Sequence, residues 1–214
     1  EEPPAVRWLP FQLNPDLPES GIPRLDYIQR KFGGGGHGRY QRVADVGKTV
    51  GLDLQFAKIE VQPNTVKAHR LLHHAGELGK QDAMAEALFR AYFIEGANLT
   101  DDATLARYAA QAGLDREEVS IYLASGEDAD VIRGADVEAR NAGISGVPFF
   151  IFNRTIGLSG AQDPEVLLQA MQQAMAKRSA ELQAAQQVKA VIAQKQATAV
   201  ASAQQAVALK GATQ

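Results

Sequence analysis

Apolar and polar positions alternate with two periods along this chain, and the change of period marks where its elements fall. Residues 5–13, Ala-Val-Arg-Trp-Leu-Pro-Phe-Gln-Leu, predict a short strand with Val6, Trp8 and Leu9 inward, limited near its end by Pro10. The stretch from Asn14 to Pro18 predicts a turn-rich exit. Helical spacing follows from Pro23 to Phe32. It resumes from about Gly38 to Val50, where Tyr40, Val43, Val46 and Val50 share one face. Leu52 to Phe56 alternates strictly and predicts a half-buried strand.

The centre of the chain is helical in pattern. Asn64 is a suitable N-cap for a helix carrying Val66, Leu71 and Leu72 up to Gly76 or Gly79. Gln81 to Glu95 predicts the strongest helix. Asp101 or Asp102 opens another that ends at Gly113, and Asp115 opens one that ends near Gly126. A further helix spans about Asp128 to Asn141 and stops at Gly143. Phe149 to Phe152 is too short for a helix and rich in aromatics, which predicts a buried strand. Asn153-Arg154 turns the chain so that 155–158 pairs back as a hairpin. Asp163-Pro164-Glu165 then starts a helix carrying Val166, Leu167, Ala170 and Met171. From about Met175 the chain is Ala-, Gln-, Lys- and Val-rich, a composition that continues a helix. A small sheet at both ends of a mostly helical middle makes this an α/β layered protein with a helical subdomain.

Composition narrows the chemistry. The chain has 214 residues, a formal net charge of −3 and 22% charged residues, which offers no general attraction to nucleic acid. No run of apolar residues is long enough for a membrane span. The chain contains no cysteine, so it has no disulfide, thiolate metal site or cysteine nucleophile of its own.

Most motifs reduce to structural roles. Gly33-Gly34-Gly35-Gly36-His37-Gly38 fits G-x-G-x-x-G by spacing, but it follows a helix rather than a strand and reads as a loop. His69, His73 and His74 share a helix. With no glutamate after His69 and no third ligand in spacing, they read as core or interface residues. Ser145 lies before a strand instead of after one, so it is not in a nucleophile elbow. The best candidate is Gly143-Ile144-Ser145-Gly146-Val147-Pro148, between a helix and a strand. A cis bond before Pro148 would turn the backbone N–H and C=O of Val147 toward an extended peptide. Leu158 to Pro164 adds backbone amides at a helix start, suited to a carboxylate.

Gly146-Val147-Pro148-Phe149-Phe150, Ser159-Gly160-Ala161-Gln162 and Pro164-Glu165-Val166 together resemble the FrnE-like branch of the DsbA family. Trp8 to Pro15 resembles its second strand. Pro63-Asn64-Thr65 with Ala68 to Leu71, and Glu86 to Phe93, resemble its helical insertion. The similarity covers about residues 5–176. It implies a thioredoxin-like fold with an inserted all-helical subdomain. Its N-terminal part lies in 1–60, the insertion in 61–142, its C-terminal part in 143–176, and a tail in 177–214.

The resemblance implies a bacterial, cytoplasmic protein disulfide oxidoreductase acting on protein or peptide thiols and disulfides. Val147 and cis-Pro148 would hold the substrate backbone, with Asn14 near the pocket floor. The family's first strand and its C-x-x-C helix would precede Ala5, a place this chain leaves without either, so dithiol activity is not expected of it as it stands. Related kappa-class glutathione transferases and hydroxychromene-carboxylate isomerases imply an alternative in which glutathione is the ligand. Val147 would then bind its cysteinyl backbone, and Gly160, Ala161 and Gln162 its γ-glutamyl carboxylate. A third alternative is a non-catalytic module that keeps the peptide groove. No resident cofactor, metal, nucleic-acid or membrane partner is expected.

Overall fold

The structure is a computed structural model that describes residues 3–33 and 36–211, with side chains absent from the description at 36–37 and 197–211. It is an α/β fold, rich in helices with small sheets. The chain divides into two compact units, Glu1–Ser145 and Gly146–Gln214.

In the first unit, β1 (Ile22–Pro23) pairs antiparallel with β2 (Val61–Gln62), and between them come α1 (Arg24–Phe32) and α2 (Gly36–Thr49). Then follow α3 (Val66–Glu77), α4 (Gln81–Phe89) with a π-turn at Arg90–Ile94, α5 (Asp102–Gln111), α6 (Arg116–Ser125) and α7 (Ala129–Asn141). The caps follow local chemistry. Asn64 Oδ1 accepts from the Val66 amide at 3.0 Å. Asp101, rather than Asp102, caps α5 through Thr104 N, and Asp115 caps α6 through the amides of Glu117 and Glu118. Gly126 closes α6 in the left-handed conformation.

The core lies among α3, α4, α5 and α6, where Leu71, Met84 and Leu105 are fully buried. Buried polar groups within it are paired. Arg70 donates from Nη1 to Leu123 O at 3.1 Å, from Nη2 to Tyr122 O at 2.7 Å, and from Nε to Glu127 O, so its guanidinium serves the open carbonyls at the end of α6. Tyr108 donates to Glu95 at 2.6 Å. Gly96 has positive φ, and any Cβ there would collide with the carbonyl of Lys58.

Four expectations are corrected here. Residues 5–13 form no strand. The segment is extended but has no backbone ladder, and side chains of α3, α4 and α7 hold it instead. Gln81 accepts from Trp8 N at 3.0 Å and donates to Trp8 O at 3.2 Å, mimicking one rung of a ladder. Asp136 accepts from Gln12 N at 2.7 Å, and Arg140 donates to Gln12 O. Val6, Trp8 and Leu9, all expected inward, are exposed. Residues 52–56 likewise form no strand. Only Gln55 N reaches across, to Phe93 O at 2.7 Å, before a 3₁₀ turn at Phe56–Lys58. On α2 Val43 and Val46 face outward, as does Val50 just past its end, while Ala44 and Gly47 face inward against the chain. The 81–95 helix leaves α geometry at Arg90 for the π-turn.

Candidate functional site

The second unit is β3 (Phe149–Phe152), β4 (Ile156–Ser159) and α8 (Pro164–Gly211). β3 and β4 form the expected hairpin, with Phe149 opposite Ser159 and Phe152 opposite Ile156. Asn153 and Arg154 both have positive φ, 47° and 59°, and Thr155 N donates to Phe152 O at 3.0 Å. The left-handed pair sits in a three-residue connection, since the strands pair from Phe152 and Ile156 onward.

Strand alternation sorts the side chains by face. Phe150, Phe152, Ile156 and Leu158 are half-buried on one side, and the rings of Phe150 and Phe152 stack at 6.5 Å. On the other side Ile151 is exposed, which corrects the expectation of a fully buried strand. Phe149 lies diagonally across Gly157 on that side. A Cβ at residue 157 would stand 3.0 Å from the Phe149 ring, so the glycine makes the room the ring occupies. Gly157 was the unread sequence signal of this contact.

Before the hairpin, the Val147–Pro148 peptide bond is cis. Val147 is 50% exposed, and neither its amide nor its carbonyl has a backbone partner within the described residues. Pro148 lacks an N–H, but its carbonyl is engaged: Gly160 N donates to it at 2.8 Å. This bond brings Val147-Pro148 and Gly160 to one end of the hairpin. It also means that the Gly160 amide, expected to be open for a carboxylate, is taken. Gln162 folds back, its Nε2 donating to Ser159 O at 2.7 Å. Ala161 and Gln162 are exposed ahead of α8, where Val166 and Leu167 donate to the carbonyl of Asp163. Asn14 belongs to the first unit. It is half-buried, and its carbonyl accepts from Leu17 N at 3.3 Å.

The other sequence candidates have local partners. His69 Nε2 lies 3.2 Å from Phe11 O, a geometry that places the proton on that nitrogen, and burial pushes its pKa below the ordinary value. His74 stacks on Tyr122 at 4.5 Å, and both His73 and His74 approach Glu77. No group of His, Asp and Glu among the described residues is arranged to hold a metal. The glycine-rich stretch lies in part, at 34 and 35, outside the described residues. Of the helices described, none is long and apolar enough to cross a membrane.

A cis-proline turn with an exposed backbone ahead of a hairpin, joined to a separate helical body, is the combination to compare with known proteins. Residues 4–172 match the family of DSBA-like thioredoxin domains. The chain belongs to that family. It is 28% identical over 170 residues to the uncharacterised protein YwbO of Bacillus subtilis (strain 168), covering 78% of this chain and 80% of that protein. It also resembles the crystal structure of a probable DsbA oxidoreductase from Streptomyces coelicolor. There the TM-score is 0.71 and the identity 34%, over 78% of this chain and 73% of that one. Thiol–disulfide oxidoreduction is thus the chemistry of the DsbA-like family this chain joins.

Proposed function

We propose that this protein serves protein disulfide exchange of the FrnE-like DsbA type, presenting the backbone of a thiol- or disulfide-bearing peptide at Val147 and Pro148. The observation that carries the reading is the open Val147 backbone beside a proline whose own carbonyl is held by Gly160. An extended peptide laid along Val147 gains backbone hydrogen bonds without regard to its side chains, which suits a protein substrate of varied sequence.

In the exchange itself a thiolate attacks one substrate sulfur. A mixed disulfide forms, the other substrate sulfur leaves as a thiolate, and a second thiol then resolves the mixed disulfide. These 214 residues contain no cysteine, so they supply the holding surface and none of the sulfur chemistry. The proposed setting is the cytoplasm.

The test has two arms. Insulin reduction by this chain alone is expected at background. An isotope-labelled sample titrated with an extended cysteine-containing peptide is expected to shift the amide signals of Val147, Phe149 and Gly160. N-methylating the peptide residue that faces Val147 should weaken binding about tenfold, the equivalent of one backbone hydrogen bond. Peptide binding that ignores N-methylation, or exchange activity at enzyme rates, would sink the proposal. A calorimetric signal with glutathione in place of the peptide would move the reading to a glutathione-dependent isomerase or transferase. The engaged Gly160 amide weighs against that alternative.

A further inference from the structure

A cavity of about 220 Å³ lies wholly within the first unit, lined by the start of α3, the end of α6 and the start of α7. Drug-sized ligands fill larger pockets, so this one suits a small molecule or several waters. Arg70 lines it, with Lys67, Arg133, Glu19 and Asp102. Arg70 is 2% exposed, and the three acceptors of its guanidinium are backbone carbonyls, which carry no charge. No carboxylate among the described residues comes within ion-pair distance of it. Asp128 accepts from the Tyr122 hydroxyl at 2.8 Å instead. A buried cation is ordinarily matched by an anion, because its lost hydration is otherwise uncompensated. A guanidinium also has five N–H groups, so two remain beyond those three carbonyls.

We propose that this cavity binds a small oxyanion, a phosphate or the carboxylate of a small organic acid. Arg70 forms the buried part of the site, and Lys67 and Arg133 form its more open part. The planar fork of a guanidinium suits two oxygens of one such group, and the ammonium of Lys67 adds a point charge.

The two lining carboxylates compete with the ligand for these cations. Asp102 accepts from Lys67 at 2.7 Å, and Glu19 lies 3.6 Å from Arg133, which also reaches Asp130 at 3.2 Å. The side chains of Glu19 and Arg133 are 79% and 48% exposed, and exposed pairs of this kind exchange for another anion at little cost. Three lining cations against two lining carboxylates leave a positive excess around the cavity, in a chain whose net charge is −3.

The isotope-labelled full chain, titrated at constant ionic strength with inorganic phosphate and separately with succinate, tests this directly. Saturable shifts are expected at the Arg70 Nε–H and at the amides of Lys67, Gly126 and Ala129. Saturation by phosphate alone assigns a phosphoryl ligand, and saturation by succinate a carboxylic acid. Lys67→Gln and Arg133→Gln should each weaken binding about tenfold. Glu19→Gln and Asp102→Asn, which remove the competing carboxylates, should each tighten it roughly threefold. Lys31→Gln, a cation of α1 outside the cavity, should leave it unchanged. The absence of saturable shifts with both anions would overturn the proposal. So would equal losses from Lys67→Gln and Lys31→Gln, which would mark a general charge effect, or weaker binding in Glu19→Gln and Asp102→Asn. Arg70 itself is left intact throughout, and none of the substituted side chains belongs to the buried core, so circular dichroism of each variant separates loss of binding from loss of the fold.

Discussion

The helical body of the first unit and the hairpin of the second hold comparable runs of apolar residues, yet they use them in opposite ways. In the body, Leu71, Leu105 and Tyr108 are sealed, and the buried Arg70 guanidinium has specific acceptors. In the second unit Val147, Ile151 and Leu168 stay in contact with solvent, and backbone groups at Val147 stay open. The first arrangement makes a unique, rigid packing; the second leaves hydrogen-bonding capacity and apolar surface for something that is not part of the fold.

That contrast can be tested by truncation. Leu105→Ala in the body is expected to cost about 3 kcal/mol in chemical denaturation, because its cavity is enclosed. Ile151→Ala, at 48% exposure, should cost under about 1 kcal/mol. Equal losses would erase the distinction.

Arg70→Leu tests the polar half of the comparison. It removes donors from three carbonyls at the end of α6 and should cost roughly 2–3 kcal/mol, with faster amide exchange over α6. A neutral result would mean that water serves those carbonyls equally well.

Gly157→Ala probes the one tight contact of the hairpin. The Phe149 ring has to shift by a few tenths of an ångström, at a cost of about 1 kcal/mol, readable as a change in the ring's NMR signals. An unchanged ring environment would show that the contact does not constrain it.

The smallest effect concerns His69. Burial holds its folded pKa below the ordinary 6.5, so the unfolded chain takes up a proton at a pH where the folded chain does not. Above pH 6.5 it therefore costs no stability, and as pH falls below 6.5 stability declines toward its folded pKa. His69→Gln should flatten that decline in denaturation curves measured between neutral and mildly acidic pH. An unchanged slope would assign it to other groups.

The helices were legible in the sequence because their signals are local. Asp101, Asp115 and Gly126 act within four residues of themselves, and each does what its type suggests. The hairpin was legible for the same reason, since Asn153-Arg154-Thr155 closes it within three residues. Residues 5–13 and 52–56 carry strand-like patterns, but neither forms a strand. Their alternation describes which side chains could share a face and says nothing about a partner for the backbone. The outward turn of Val43 and Val46 on α2 has the same origin: periodicity reveals a stripe without revealing what lies against it.

The candidate site divides along that line. Val147-Pro148 stood out by residue type alone, and the cis bond is where the sequence placed it. The bond from Gly160 to the Pro148 carbonyl could not be read from either segment, because it joins residues twelve apart through the hairpin register. It closed a donor that the segment 158–164 had promised.

What the sequence determined by itself, then, was the succession of helices, their caps, the hairpin turn and the absence of any thiol. An α-helix satisfies its backbone four residues away, and a turn or cap does so within its own span. What only the tertiary structure decided was which extended segments found a ladder, which apolar stripes were covered and which amides stayed free. Those outcomes depend on partners distant in sequence, and an extended backbone carries no record of the partner it will meet.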